Sequence, residues 1–151
     1  MIKHYIIDGN NLLGKLKKYN EFRKIKSNDT RSNLALMIDR YFARKKYSVS
    51  LHFDGHRKDI IKANKIKLEY SENKTADEWI KHEIMVIKNP RTICVVTSDN
   101  NVAQFAKVSS CKVIKSESFA AELMEKAKPD DENDRIKSIK DEEMNKLFGV
   151  E

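Results

Sequence analysis

Tyr5–Leu16 reads "YIIDGNNLLGKL", and two chemistries compete for it. Gly9, Gly14 and Lys15 stand at the spacing of a phosphate-cradling loop, while Tyr5-Ile6-Ile7 is an apolar run that ends on a lone acid, Asp8. A phosphate loop needs small residues whose consecutive amides wrap the phosphate, and a Ser or Thr after the lysine to hold magnesium. Here Leu12 and Leu13 fill the loop and Leu16 follows Lys15, so these leucines more naturally start a helix packed on a sheet. A phosphatase with an aspartate nucleophile usually places a second acid two residues on, where this chain has Asn10. Asp8 is left as a metal ligand at the end of a strand buried on both faces.

Beyond this stretch, short apolar runs alternate with helical patterns. A helix is expected from Asn33 to Lys46, strands over Val49–Phe53 and Ile66–Tyr70, and a helix opened by the capping box Thr75-Ala-Asp-Glu78 and closed by Asn89-Pro90. Thr92–Val96 is the clearest buried strand, followed by a helix capped by Ser98 or Asp99. Lys112–Ile114 is a last strand and Ser118–Lys128 a last core helix. The alternation predicts a single α/β domain over residues 1–128, a mainly parallel central sheet flanked by helices. Residues 129–151 form a charged tail in which Met144, Leu147 and Phe148 could make one amphipathic turn.

Four acids fall where a parallel sheet gathers its functional groups, beyond the carboxyl ends of strands. Asp8 ends the first strand, Asp54 ends the second in "LHFDG", Asp77 lies in the first turn of a helix, and Asp99 follows the strongest strand in "VVTSDN". Singly, Asp77 and Asp99 read as helix caps or first-turn acids, and Asp54-Gly55 as a turn. Together they would repel unless a cation sat among them, and oxygen-only ligands favour Mg2+ or Mn2+.

The charge is uneven. The net +7 of the 151 residues hides sixteen Lys/Arg against five Asp/Glu over residues 9–68, nine of each over 69–128, and four against eight in 129–151. A basic first half suggests a polyanionic partner, weighed against lysines that only keep a small domain soluble. No apolar run reaches the length of a membrane span and no signal peptide is evident, so a cytoplasmic location is expected. Cys94 and Cys111, flanked by apolar residues, are expected to be buried thiols.

"YIIDGNNLLG", "FDG", "KTADEWI" and "VVTSDNN", in this order and spacing, resemble the NYN branch of the PIN-like nucleases, particularly its YacP-like group, over residues 4–125. The resemblance implies a PIN-like, Rossmann-like fold and divalent-metal-dependent cleavage of RNA. Asp8, Asp77 and Asp99 would be the central ligands, Asp54 an accompanying acid, and Asn11 an orienting residue. The chain departs from the group in two places: Asn10 stands where an aromatic is frequent, and Asn100 and Asn101 stand where many PIN-like sites carry a further acid.

The expected activity is endonucleolytic hydrolysis of single-stranded RNA. The basic run Lys15–Lys26, with Arg57, Lys58, Lys62, Lys65 and Lys67, would hold backbone phosphates, and Tyr19, Phe22 and His56 would stack on unpaired bases. Asn11, Lys15, Arg57, Lys58, Ser98 and Asn101 are the expected substrate-binding set. His4, His52 and His82 lack a ligand spacing and read as structural. The sequence leaves open an RNA-binding adaptor of the same fold, a nucleotide-handling enzyme using the same acidic edge, a ribosome or protein partner for the acidic tail, and the oligomeric state.

Overall fold

Ile6 and Ile7 are both fully buried although adjacent residues of a strand face opposite ways, so β1 (His4–Asp8) must be covered on both faces. The computed structural model, which describes residues 1–24, 30–57 and 61–127, shows how. With β2 (Ser48–Phe53), β3 (Lys67–Tyr70), β4 (Ile93–Val96) and β5 (Lys112–Ile114), β1 forms one parallel sheet in the order β3-β2-β1-β4-β5. The chain lays strands outward on one side of β1, then returns to lay β4 and β5 on the other. The sheet therefore changes direction between β1 and β4, at whose carboxyl ends such folds place their sites.

Among the described residues α-helices cover the faces: α1 (Gly9–Leu16), α2 (Asn20–Arg23), α3 (Thr30–Phe42), α4 (Ala76–Val86), α5 (Asn100–Val108) and α6 (Ser116–Ala127). Leu12, Leu13 and Leu16 of α1 join Leu34, Ile38, Phe42 and Phe119 against Ile7, Leu51, Phe53 and Val96. Tyr5 and Phe42 pack at 5.0 Å between ring centroids, and Phe42 stacks on Phe119 at 6.2 Å. On the opposite face Ile80 and Ile84 of α4, with Val102 and Ala106 of α5, cover Ile6, Ile93 and Val95. The leucines of the opening stretch thus build core, as the rejection of a phosphate loop requires. Both cysteines are buried free thiols, and burial pushes Cys94 up to about 11.

Three expectations are corrected. The third helix runs Thr30–Phe42 and gives way to tight turns at Ala43 and Lys45, because Tyr47 must swing back to pack its ring 5.1 Å from Tyr5. The fourth helix stops at Val86, before Asn89-Pro90, where Ile87 goes extended and packs against the second core. Phe22, expected to stack on bases, is 3% exposed in the first core. Lys26, Lys58 and the 129–151 tail, with its Met144, Leu147 and Phe148, lie outside the described residues. No helix among the described residues is long and apolar enough to cross a membrane.

Candidate active site

Strand parity decides where Asp8 points. It shares a face with His4 and Ile6, so its carboxylate leaves the sheet on the α4–α5 side, and it is only 8% exposed. Two donors hold it: Thr97 Oγ1 donates to Oδ2 at 3.0 Å, and the Asn11 amide to Oδ1 at 3.4 Å, making Asp8 the N-cap of α1. Across the switch point Asp99 caps α5, its Oδ1 accepting the Asn101 and Val102 amides at 2.8 and 3.1 Å. Thr97 Oγ1 also accepts the Asp99 amide at 3.1 Å, so one hydroxyl fixes both acids.

Asp54 ties the end of β2 to the start of α4, its Oδ1 accepting the Ala76 amide at 2.7 Å. Asn10 accepts the Asp54 amide at 2.6 Å, and Arg31 donates to the Asp54 carbonyl at 2.7 Å. Asp77, in the first turn of α4 behind the capping box that Thr75 and Glu78 complete, holds no backbone group among the described residues and meets Lys81 Nζ at 4.0 Å. Lys81 also donates to Asn101 Oδ1 at 3.0 Å and so bridges the two helix starts.

Asp8, Asp54, Asp77 and Asp99 line one open cleft of about 320 Å³, together with Asn10 and Asn11. The amino ends of α1, α4 and α5 open onto it, a field that favours anions. Crowding acts the other way. Burial raises the Asp8 carboxyl above its usual range against the Thr97 and Asn11 hydrogen bonds, and the charges of Asp77 and Asp99 add to the rise. Asp77 is raised by burial, then by Asp99 and Asp54, with Lys81 opposing.

Among the described residues no three acid, imidazole or thiolate side chains stand as a ready-made metal cage. The donor set still fits a hard divalent cation in its chemistry: oxygen-only ligands, two of which, Asp8 and Asp77, are pushed toward the neutral form by burial and then by neighbouring carboxylates.

The other expected residues divide. Asn11 sits in the cleft, but its Oδ1 accepts from the Ser98 amide (2.7 Å) and Ser116 Oγ (2.6 Å), stitching the α1 start to the loop after β4 and to α6. Ser98 pairs its hydroxyl with Glu117, and Asn101 is engaged by Lys81. Lys15, Arg57, Ser98 and Asn101 do not line the cleft; Arg57 lies by the outer edge of β3, near Ile66 and Leu68. His4 and His52 are structural: His4 Nε2 and Ser50 Oγ hydrogen-bond Glu83 Oε2 at 2.6 and 2.8 Å, and His52 Nε2 bonds Oε1 at 2.7 Å.

Sequence reasoning missed Thr97, Asn10 and Lys81. The Asp77–Lys81 spacing of four on a helix was a usable signal. Thr97 and Asn10 act across the sheet, and nothing local marks them.

The family model described as "YacP-like NYN domain" matches residues 5–148. Two solved structures of Rae1 (YacP) from Bacillus subtilis, one of them a point mutant, share the fold. The mutant aligns at a TM-score of 0.69 and 20% identity, covering 97% of this chain and 87% of that one. The other aligns at 0.64 and 20%, covering 95% and 84%. No curated protein matches the sequence.

Proposed function

Because this chain belongs to the YacP-like NYN domain family, a nuclease-type fold, we propose that its acidic cleft hydrolyses phosphodiester bonds of single-stranded RNA with the help of Mg2+ or Mn2+. The observation that carries the proposal is the cleft itself: four carboxylates from four separate segments, at the turning point of the sheet, with Asp8 and Asp77 raised by burial and by the carboxylates around them. Asp8, Asp77 and Asp99 would hold the cation and Asp54 would stand beside them. A bound divalent ion supplies charge neutralisation at the phosphate and activation of water.

The chain's own residues prepare that site. Thr97 orients Asp8 and the Asp99 loop together, Asn11 locks the loops after β1 and β4 to α6, and Lys81 sets the distance between the starts of α4 and α5. Three helix amino ends attract a phosphate toward the acids. Lys15 and Arg57, with the exposed Lys17 and Lys18, would hold RNA backbone outside the cleft, where their charge is unspent on partners in the acidic site.

One observation favours a second reading. Asp54 and Asp99 each commit an oxygen to backbone amides, as acids with a purely structural task would, and this suits an RNA-binding adaptor of the same fold. Labelled single-stranded RNA with Mn2+, assayed beside Asp77→Asn, separates the two. Manganese-dependent cutting lost in the variant supports the nuclease, because among the described residues Asp77 holds no backbone group whose loss could mimic the result. Binding without cutting by the wild-type chain supports the adaptor.

A further inference from the structure

Behind the turn that carries Thr75 and Asp77 lies a second cleft, of about 430 Å³, that the cutting chemistry does not use. Its floor is Ser50 and His52 of β2; its walls are Tyr70 at the end of β3 and Trp79 on α4; Glu69 and Glu72 stand at its sides. The volume lies in the range of small-ligand sites. Three features give it a chemistry.

The first is a fixed aromatic wall. The Trp79 indole N–H donates to the Ser71 carbonyl at 3.0 Å, Lys74 sits over the ring at 5.2 Å, and yet the residue is 37% exposed. A rigid, half-open indole is a stacking surface for unpaired bases. The second is an exposed carboxylate, without a cation beside it among the described residues, on a strained backbone. Glu72 has a left-handed backbone (φ +57°), which a residue with a side chain disfavours, and its N–H is held by the Gly55 carbonyl at 2.8 Å. Among the described residues its carboxylate meets no cation, whereas Glu69 is paired with Lys67 at 3.1 Å and Glu83 is engaged by His4, His52 and Ser50. The third is charge. With Glu69 and Glu83 already paired and Lys74 held over Trp79, the charge left open in the cleft is the Glu72 carboxylate, which disfavours phosphate and favours a neutral group rich in donors.

We propose that this second cleft holds one guanine of the RNA, stacked against Trp79, with the Glu72 carboxylate accepting from its N1–H and N2–H2 edge. Guanine presents two adjacent donors on that edge, matching the two oxygens of a carboxylate; uracil presents one donor between two acceptors. The two clefts draw on one short stretch of chain, Glu72 and Trp79 lining one and Thr75, Ala76 and Asp77 the other, so the base held would be one close to the phosphate that is cut. The inference deepens the nuclease reading and rests on it for the identity of the polymer.

Trp79 is the chain's one tryptophan, so its fluorescence reports this cleft directly and without any cutting. An all-uracil RNA hexamer and the same hexamer with one central guanine are titrated into Asp77→Asn, which holds RNA intact, and into Asp77→Asn carrying Glu72→Gln. The expected result is about tenfold tighter binding of the guanine hexamer, with a change in Trp79 emission, and loss of that preference on Glu72→Gln. Equal affinity for the two hexamers, binding that leaves Trp79 emission unmoved, or a preference that survives Glu72→Gln overturns the assignment. So does failure of both hexamers to bind. Wild-type cutting with Mn2+ is read separately: cutting without guanine preference refutes the pocket alone, and absent cutting with a preserved preference refutes the hydrolysis alone.

Discussion

Gly9 and Gly14 lie in one helix, and the structure assigns them opposite consequences. A methyl group added at Gly9 would stand 2.5 Å from the His52 carbonyl oxygen and 2.7 and 2.8 Å from two ring carbons of Phe53. Neither can yield cheaply. His52 is paired within the sheet to Asp8 and Glu69, and Phe53 is fully buried. Overpacking of this kind costs about 1–3 kcal/mol, and a collision with backbone belongs at the upper end. Alanine recovers less than about 1 kcal/mol of helix propensity at a first-turn position. A net loss of about 2 kcal/mol lowers Tm by about 4–8 °C in a chain of this size.

At Gly14 nothing lies within 4 Å of the added carbon, so Gly14→Ala gains about 0.5–1 kcal/mol and raises Tm. Calorimetry on both variants, with cutting measured on the same samples, is the assay. Cutting by Gly9→Ala should fall further than its stability, because α1 carries the cap on Asp8 and the Asn11 stitch, and a displacement of about 1 Å costs roughly 100-fold in rate. Equal signs for the two variants would refute the reasoning, and loss of cutting in both with stability intact would revive the phosphate loop.

Asp77→Asn should abolish cutting while raising Tm by about 1–3 °C, since it removes a charge that Asp99 and Asp54 repel; a lowered Tm counts against the crowding. Thr97→Val should weaken Mn2+ affinity by about tenfold, measured by calorimetric titration, because Asp8 and the Asp99 amide lose their common partner. Glu83 governs the acid limb of stability. Burial would raise its carboxyl, but the hydrogen bonds from His4 and His52, the His52 charge and Ser50 outweigh it and hold the group at about 2 against an ordinary 4.5. A depressed carboxylate stabilises above its unfolded value and loses that contribution as pH falls through the folded one. Glu83→Gln should therefore be less stable than wild type by about 3 kcal/mol at pH 6, with the gap closing between pH 4.5 and 2; a gap independent of pH in denaturant titrations refutes the network's role.

The sheet and the four acids were legible because each signal is local. An unbroken apolar run marks a doubly covered strand, and Thr75 with Glu78 writes its own helix start. What escaped was fixed by partners distant in sequence. Asn10 meets the Asp54 amide 44 residues away, Thr97 meets Asp8 across 89, and His4 finds Glu83 across 79. Phe22 looked like a stacking residue because an aromatic among lysines reads as surface; its burial depends on where α2 lands. The lysines themselves gave composition without direction, and only coordinates separate Arg57 at the outer edge of β3 from Lys81 beside Asp77.

The order in which the sheet is filled has a consequence during synthesis. The central strand is made first, but its neighbour β4 is not complete until Val96, and Thr97 and Asp99 follow it. A ribosome-bound fragment ending before that point carries Asp8, Asp54 and Asp77 without the strand that lies between them and the fourth acid. Under the proposed nuclease reading, premature termination or early proteolysis would yield fragments without a complete acidic site, and cutting would arrive late, all at once, with the closing of a single gap.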